Sequence, residues 1–181
     1  MKIQHILNRY FSAIILMLAF IQLSPFLLKA KSFEKYHSFH QASILADADN
    51  GRILRNYRSQ KTIYPASLVK MMVALITLEE INKGNIHLSD SIKVSSWASR
   101  IGGRQVYLKQ GEVFPLSEMM KAMVITSAND VTVAIAEHIA KDVDTFIRLM
   151  NQRAQELGMT DTEFHSVHGL PPGRETMDRM E

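Results

Sequence analysis

Cysteine is absent from the 181 residues. Disulfides, thiolate metal sites and Cys nucleophiles are therefore excluded, and the fold must be held by its core alone. Glycine and proline are sparse, at 8 and 5, and there is no internal repeat or low-complexity tract, so collagen-like and disordered classes fall away. Acidic residues are missing before Glu34. Lys2, Arg9, Lys29 and Lys31 all lie in that acid-free stretch; with them set aside, the basic residues fall just below the 18 acidic ones. The formal net charge of +3 thus belongs to the first 32 residues, and no nucleic-acid partner is implied. What remains is ordinary globular composition, 46% hydrophobic and 22% charged.

The first segment reads as a targeting element. A basic start is followed by an apolar stretch from Phe11 to Leu28, broken by Gln22, Ser24 and Pro25, and then by polar Lys29-Ala-Lys-Ser32. Ala30-x-Ser32 is a weak cleavage site, so residues 1–32 are expected to be a signal peptide. An uncleaved membrane anchor is the alternative, because the apolar run is long for a signal. Either reading places the rest outside the cytoplasm, in a periplasmic or other extracytoplasmic space, with membrane association left open.

Gln41 to Asp47 and Arg52 to Tyr57 read as two short strands, with Asp49-Asn50-Gly51 supplying the positive-φ residues of a tight hairpin turn. Pro65 precedes an apolar run from Ser67 to Asn82 that Gly84 stops. Leu68, Met71, Met72, Val73, Leu75, Ile76 and Leu78 lie on every side of that helix, which predicts a buried central one. Lys93 to Glu112 reads as loops and short extended pieces. Further helices are expected over Leu116–Ile125, Val131–Ile139 and Val143–Leu157, the last ended by Gly158. The fold class is α+β, an N-terminal β-hairpin plus a helical lobe. A lone hairpin is marginal in water, and no further strand is read after Leu170, so the chain is expected to be C-terminally truncated, with sheet strands missing.

Ser67-Leu-Val-Lys70 opens the apolar helix. Positions i and i+3 share a helix face, which brings the Lys amine toward the Ser hydroxyl. The helix start favours negative charge at the serine. A lysine among apolar neighbours loses proton affinity by desolvation, as a general base near neutral pH requires. One helical turn then supplies nucleophile and base. The tetrapeptide alone is common, since Ser is a favoured N-cap; Ser32-Phe-Glu-Lys35 matches too, in a polar segment with no apolar helix behind it. Ser127-Ala-Asn129 is the one Ser-x-Asn in the chain and falls between two predicted helices. A hydroxyl there can relay a proton and an amide can hold a carbonyl. Helix capping by Ser127-x-x-Asp130 is the alternative.

Ser-x-x-Lys on an apolar helix, followed by Ser-x-Asn at a helix–helix turn, is the motif pair of penicillin-binding proteins and class A β-lactamases. Tyr64-Pro-Ala-Ser-Leu-Val-Lys-Met-Met72, Met123-Val-Ile-Thr-Ser-Ala-Asn-Asp130, Asn151-x-x-Ala-x-Glu-Leu-Gly-Met159, Phe164 and His168-Gly-Leu-Pro171 resemble the low-molecular-mass serine D-alanyl-D-alanine carboxypeptidases, from about Gln41 to Pro172. The resemblance implies a β-lactamase/D,D-peptidase-like fold, with residues 33–181 a partial catalytic domain. It implies Ser67 as nucleophile, Lys70 as base and Ser127 as proton relay, with Asn129 binding substrate. The implied partners are a peptidoglycan stem peptide ending in D-Ala-D-Ala and β-lactams as covalent inhibitors, and no cofactor is implied.

The family's third element, Lys-Thr-Gly, is absent; Lys61-Thr-Ile63 lacks the Gly and is misplaced. In the family that strand supplies an oxyanion-hole N–H, whose loss costs on the order of a hundredfold to a thousandfold, so impaired turnover is expected. A non-catalytic penicillin- or peptidoglycan-binding remnant and a D,D-endopeptidase are the alternatives. The missing Glu-x-x-x-Asn pentapeptide argues against a β-lactamase. His165-x-x-His168 is read as two solvated loop histidines, not a metal site. Gly102-Gly103 is read as a turn, and Met71, Met72, Met119, Met120 and Met123 as core fillers.

Overall fold

The computed structural model describes residues 41–170. The segments 1–40 and 171–181, and with them the expected leader, lie outside the described residues. The chain divides between Ile63 and Tyr64 into two compact units.

The first unit is the hairpin. Strands β1 (Ser43–Ala46) and β2 (Ile53–Tyr57) pair antiparallel, Ser43 opposite Tyr57 and Leu45 opposite Arg55, with the register shifting after Leu45. The connection is longer than the tight turn expected. Asp47 closes it, its N–H donating to the Arg52 carbonyl and its own carbonyl accepting from Gly51, both at 2.9 Å. The Asp47 carboxylate also accepts from the Asp49 N–H at 2.9 Å. Within Asp49-Asn50-Gly51, Gly51 alone adopts a positive φ, and side-chain hydrogen bonds satisfy the loop without left-handed residues at 49 and 50.

The second unit is helical. A short 3-10 turn (Ala66–Val69) runs into α1 (Lys70–Asn82). Strands β3 (Ser91–Lys93) and β4 (Val113–Pro115) form a small antiparallel ribbon, Ile92 facing Phe114. Helices α2 (Leu116–Thr126), α3 (Asn129–Ala140) and α4 (Val143–Glu156) follow. The core gathers around α3, whose first eight residues are all buried. Val73 and Ile76 of α1, Met119 and Met123 of α2, and Phe146 and Met150 of α4 pack into the same core. α4 is strongly amphipathic, burying Val143, Phe146, Met150 and Ala154 at helical spacing. Its N-cap Asp142 accepts from the Thr145 N–H at 2.7 Å. Asn151 and Phe164 exchange two hydrogen bonds, 2.8 and 2.7 Å, tying the following loop to α4. That gives the quoted Asn151 and Phe164 a structural reason.

Two expectations need correction. The helix that opens at Ser67 is not buried all round: Met72, Val73 and Ile76 face the core, whereas Leu68, Met71 and Leu78 are 63%, 69% and 50% exposed. Among the described residues nothing packs over that second face, so its apolar character does not translate into burial, and Met71 is no core filler. His168 is not solvated. It is buried, and its Nδ1 accepts from the Leu170 N–H at 3.2 Å, while His165 is exposed.

Candidate active site

Ser67 sits one residue after Ala66, which adopts φ +49, the left-handed region where a Cβ is unfavourable. Such strain persists only where surrounding structure imposes it. Gly169 does so from across the unit: a Cβ at that position would collide with the Ala66 backbone. The Gly169 loop is itself fixed, its N–H donating to Ser166 Oγ at 2.9 Å. The quoted His168-Gly-Leu segment therefore buttresses the residue that presents Ser67.

From this kink the chain enters the 3-10 turn, and Ser67 and Lys70 fall one turn apart. Ser67 is exposed and Lys70 is buried. Three groups converge on the amine. Lys70 Nζ lies 3.4 Å from Ser67 Oγ, 3.3 Å from Ser127 Oγ and 2.7 Å from Asn129 Oδ1. The two serine contacts are long, and the asparagine contact is the firm one. All four sequence-nominated residues thus meet at one point, with Lys70 at its centre. Burial pulls the Lys70 amine down to about 8, helped by the positive charge of Arg104 and opposed by the carboxylate of Asp130.

Ser127 ends α2 in the left-handed conformation, φ +60 and ψ +36. Ala128, not Ser127, precedes α3, and no side chain caps that helix. The capping alternative for Ser127 is therefore overturned: its hydroxyl is turned to Lys70 instead. Asn129 faces both ways. Its Oδ1 accepts from Lys70, its Nδ2 donates to the Gly102 carbonyl at 2.8 Å, and its backbone N–H donates to the Arg104 carbonyl at 2.7 Å.

Asp130 is the residue that motif reading missed. Fully buried, it accepts from the Val106 N–H at 3.1 Å and the Leu108 N–H at 3.0 Å, and from its own neighbour Val131 at 2.9 Å. Between those donors Tyr107 takes φ +61 and stands 80% exposed. Asn129 and Asp130 together stitch the 102–108 loop to the start of α3. Gly103 is required there: at φ +84, a Cβ would lie 2.6 Å from Asn129 Nδ2. The sequence signal was the adjacency of an acid to Ser-x-Asn, which spacing alone reads as a cap.

The arrangement pairs an exposed hydroxyl with a buried amine of depressed basicity and a second hydroxyl on the amine's other side, the inventory of a serine acyl-transfer site. Comparison with known proteins identifies the family. A sequence profile of the family described as D-alanyl-D-alanine carboxypeptidase matches residues 29–177. The chain is 38% identical over 130 residues to D-alanyl-D-alanine carboxypeptidase DacF of Bacillus subtilis, covering 72% of this chain and 33% of that one. Among solved structures, D-alanyl-D-alanine carboxypeptidase DacD of Francisella tularensis superposes with a TM-score of 0.71 at 35% identity, over 73% of this chain and 32% of that one. Penicillin binding protein 6B of Escherichia coli gives 0.68 at 31%, over 72% and 43%. The chain therefore spans about a third of the length of the curated relatives it matches, and over that span it has the fold of the penicillin-binding D,D-peptidases. On profile, identity and fold together, this chain belongs to the D-alanyl-D-alanine carboxypeptidase family.

Proposed function

We propose that this chain carries the nucleophile, base and proton relay of a serine D-alanyl-D-alanine carboxypeptidase that trims peptidoglycan stem peptides. The observation that carries the reading is the position of Lys70 Nζ, within 3.4 Å of Ser67 Oγ and 3.3 Å of Ser127 Oγ. Ser67 Oγ attacks the carbonyl of the penultimate D-Ala, and the hydroxyl proton passes to neutral Lys70. With its amine near 8, roughly one Lys70 in ten is neutral at pH 7, enough for a general base. The tetrahedral intermediate then collapses. The C–N bond breaks, Ser127 gives its proton to the departing amine of D-Ala, and Lys70 returns a proton to Ser127. Asn129 accepts from Lys70 Nζ through its Oδ1, and substrate binding by its amide rests on the family resemblance. Water hydrolyses the resulting ester by the reverse proton path. β-Lactams enter the same sequence, their ring amide acylating Ser67, and act as slow substrates.

Export belongs to the same proposal, with residues 1–32 as the signal peptide or anchor and the remainder periplasmic or otherwise extracytoplasmic. The composition of that segment supports it. Among the described residues no helix is long and apolar enough to cross a membrane; sequencing the N-terminus of the secreted chain distinguishes cleavage from anchoring.

The test is covalent labelling with a fluorescent penicillin. A labelled band in the full chain that disappears in Ser67→Ala supports acyl transfer at this serine. Absence of label in the wild-type chain, or a band that survives Ser67→Ala, overturns it.

A further inference from the structure

The 102–108 loop carries one more charged group, Arg104, near enough to Lys70 to act on it, and the steps above leave it unused. Arg104 is exposed, and among the described residues its guanidinium makes no ion pair and no hydrogen bond. Its backbone is fixed, because its carbonyl accepts from the N–H of Asn129, the residue whose side chain holds Lys70 at 2.7 Å. Gly103 on one side is pressed against Asn129, and Asp130 clamps the loop on the other. The cation is thus carried on an anchored stretch of backbone, close enough to Lys70 to weigh on its proton affinity. A guanidinium carried on a fixed backbone, with its donors unspent, matches a carboxylate in shape and charge.

We propose that Arg104 recognises a carboxylate of the ligand that enters at Ser67. The inference rests on the acyl-transfer reading of Ser67. Two carboxylates are available to such a ligand: the terminal one on the leaving-group side, and any carried by the acyl side of the peptide. Three penicillins separate them. Benzylpenicillin has the ring carboxylate, its methyl ester has none, and α-carboxybenzylpenicillin adds one on the acyl side.

Acylation of Ser67 by each is timed by intact-mass spectrometry on the full chain, in wild type, Arg104→Ala and Arg104→Lys. Arg104→Ala is expected to slow acylation about tenfold for probes whose carboxylate it binds, the size of one charge-assisted contact at an exposed site. The methyl ester should change by less than about twofold, and Arg104→Lys should recover part of the loss. A loss with benzylpenicillin relative to its ester assigns the terminal carboxylate. A loss confined to the α-carboxy compound assigns the acyl side. Unchanged rates with all three probes overturn the inference while leaving the Ser67 reading intact. Equal slowing of all three, with the pH–rate profile displaced upward, also overturns it, by assigning Arg104 to Lys70 alone. A wild-type chain that forms no adduct removes the Ser67 reading and this inference with it.

Discussion

The hairpin and the helical unit show how differently local and non-local information make structure. In the hairpin, β-branched and aliphatic residues and turn chemistry specify two paired strands, yet Ile44, Leu45, Ile53 and Leu54 are each half exposed or more. Much less is gained there from burial. In the helical unit the same residue types meet across four helices, and Val73, Val131, Ile135, Phe146 and Met150 lose essentially all contact with water. Pattern gives an element; partners give it stability. The site belongs to the second kind. Lys70 is one turn from Ser67, but Ser127 and Asn129 reach it only because α1 and α3 share a core.

The sharpest way to break that contrast is at the site itself. Ser67→Ala should abolish the penicillin adduct outright, and Lys70→Met should slow acylation by on the order of a hundredfold to ten-thousandfold while the chain stays folded, as read by circular dichroism. Retained labelling in Lys70→Met would show that convergence on the amine is incidental. Next in size is a paired core comparison. Phe146→Ala should cost about 3–5 kcal/mol in urea unfolding of the full chain, whereas Ile53→Ala in the hairpin should stay within about 0.5 kcal/mol. Similar losses at both positions would show that the hairpin is as packed as the helical unit.

The pH dependence sharpens the same point. With Lys70 as the proposed general base, acylation should rise about tenfold per pH unit below 8 and level off above it. A flat profile from pH 6 to 9 contradicts a buried base. Gly103→Ala asks how far the 102–108 loop depends on Asn129. The added Cβ would lie 2.6 Å from Asn129 Nδ2 in a left-handed backbone, for an expected cost of about 1–3 kcal/mol and a slower acylation. The smallest effect lies away from the cleft. Burial raises the Glu137 carboxyl against the lowering hydrogen bond from Ser95. The folded state then holds more protons than the unfolded one just above the ordinary carboxylate range, so stability falls as pH climbs through that window. Glu137→Gln should lessen the fall in Tm between pH 4 and 7; no change there would show that burial does not weigh on this carboxylate.

How much of this was legible beforehand follows the same division. Ser67 and Lys70 could be read because i and i+3 share a helix face, and Ser127 and Asn129 because they are two residues apart. The helices were legible within a residue or two, since apolar spacing and the stops at Gly84 and Gly158 are local signals. Asp130, Gly103 and Gly169 were not. Their partners are the Val106 and Leu108 N–H groups, the Asn129 amide and the Ala66 backbone, and no spacing rule connects positions so far apart in the chain. The exposed face of α1 misled for the converse reason. Apolar residues all round announce what a helix can bury, not what the described residues supply to cover it.

The central claim is that Lys70 is a buried amine gathered between two hydroxyls and an amide rather than a solvated cation. Direct titration of its Nζ by heteronuclear NMR, on the full chain with labelled lysine and with Lys70→Met for assignment, measures that claim. A midpoint near 8 is the predicted result; a midpoint at the ordinary lysine value of about 10.4 would contradict it.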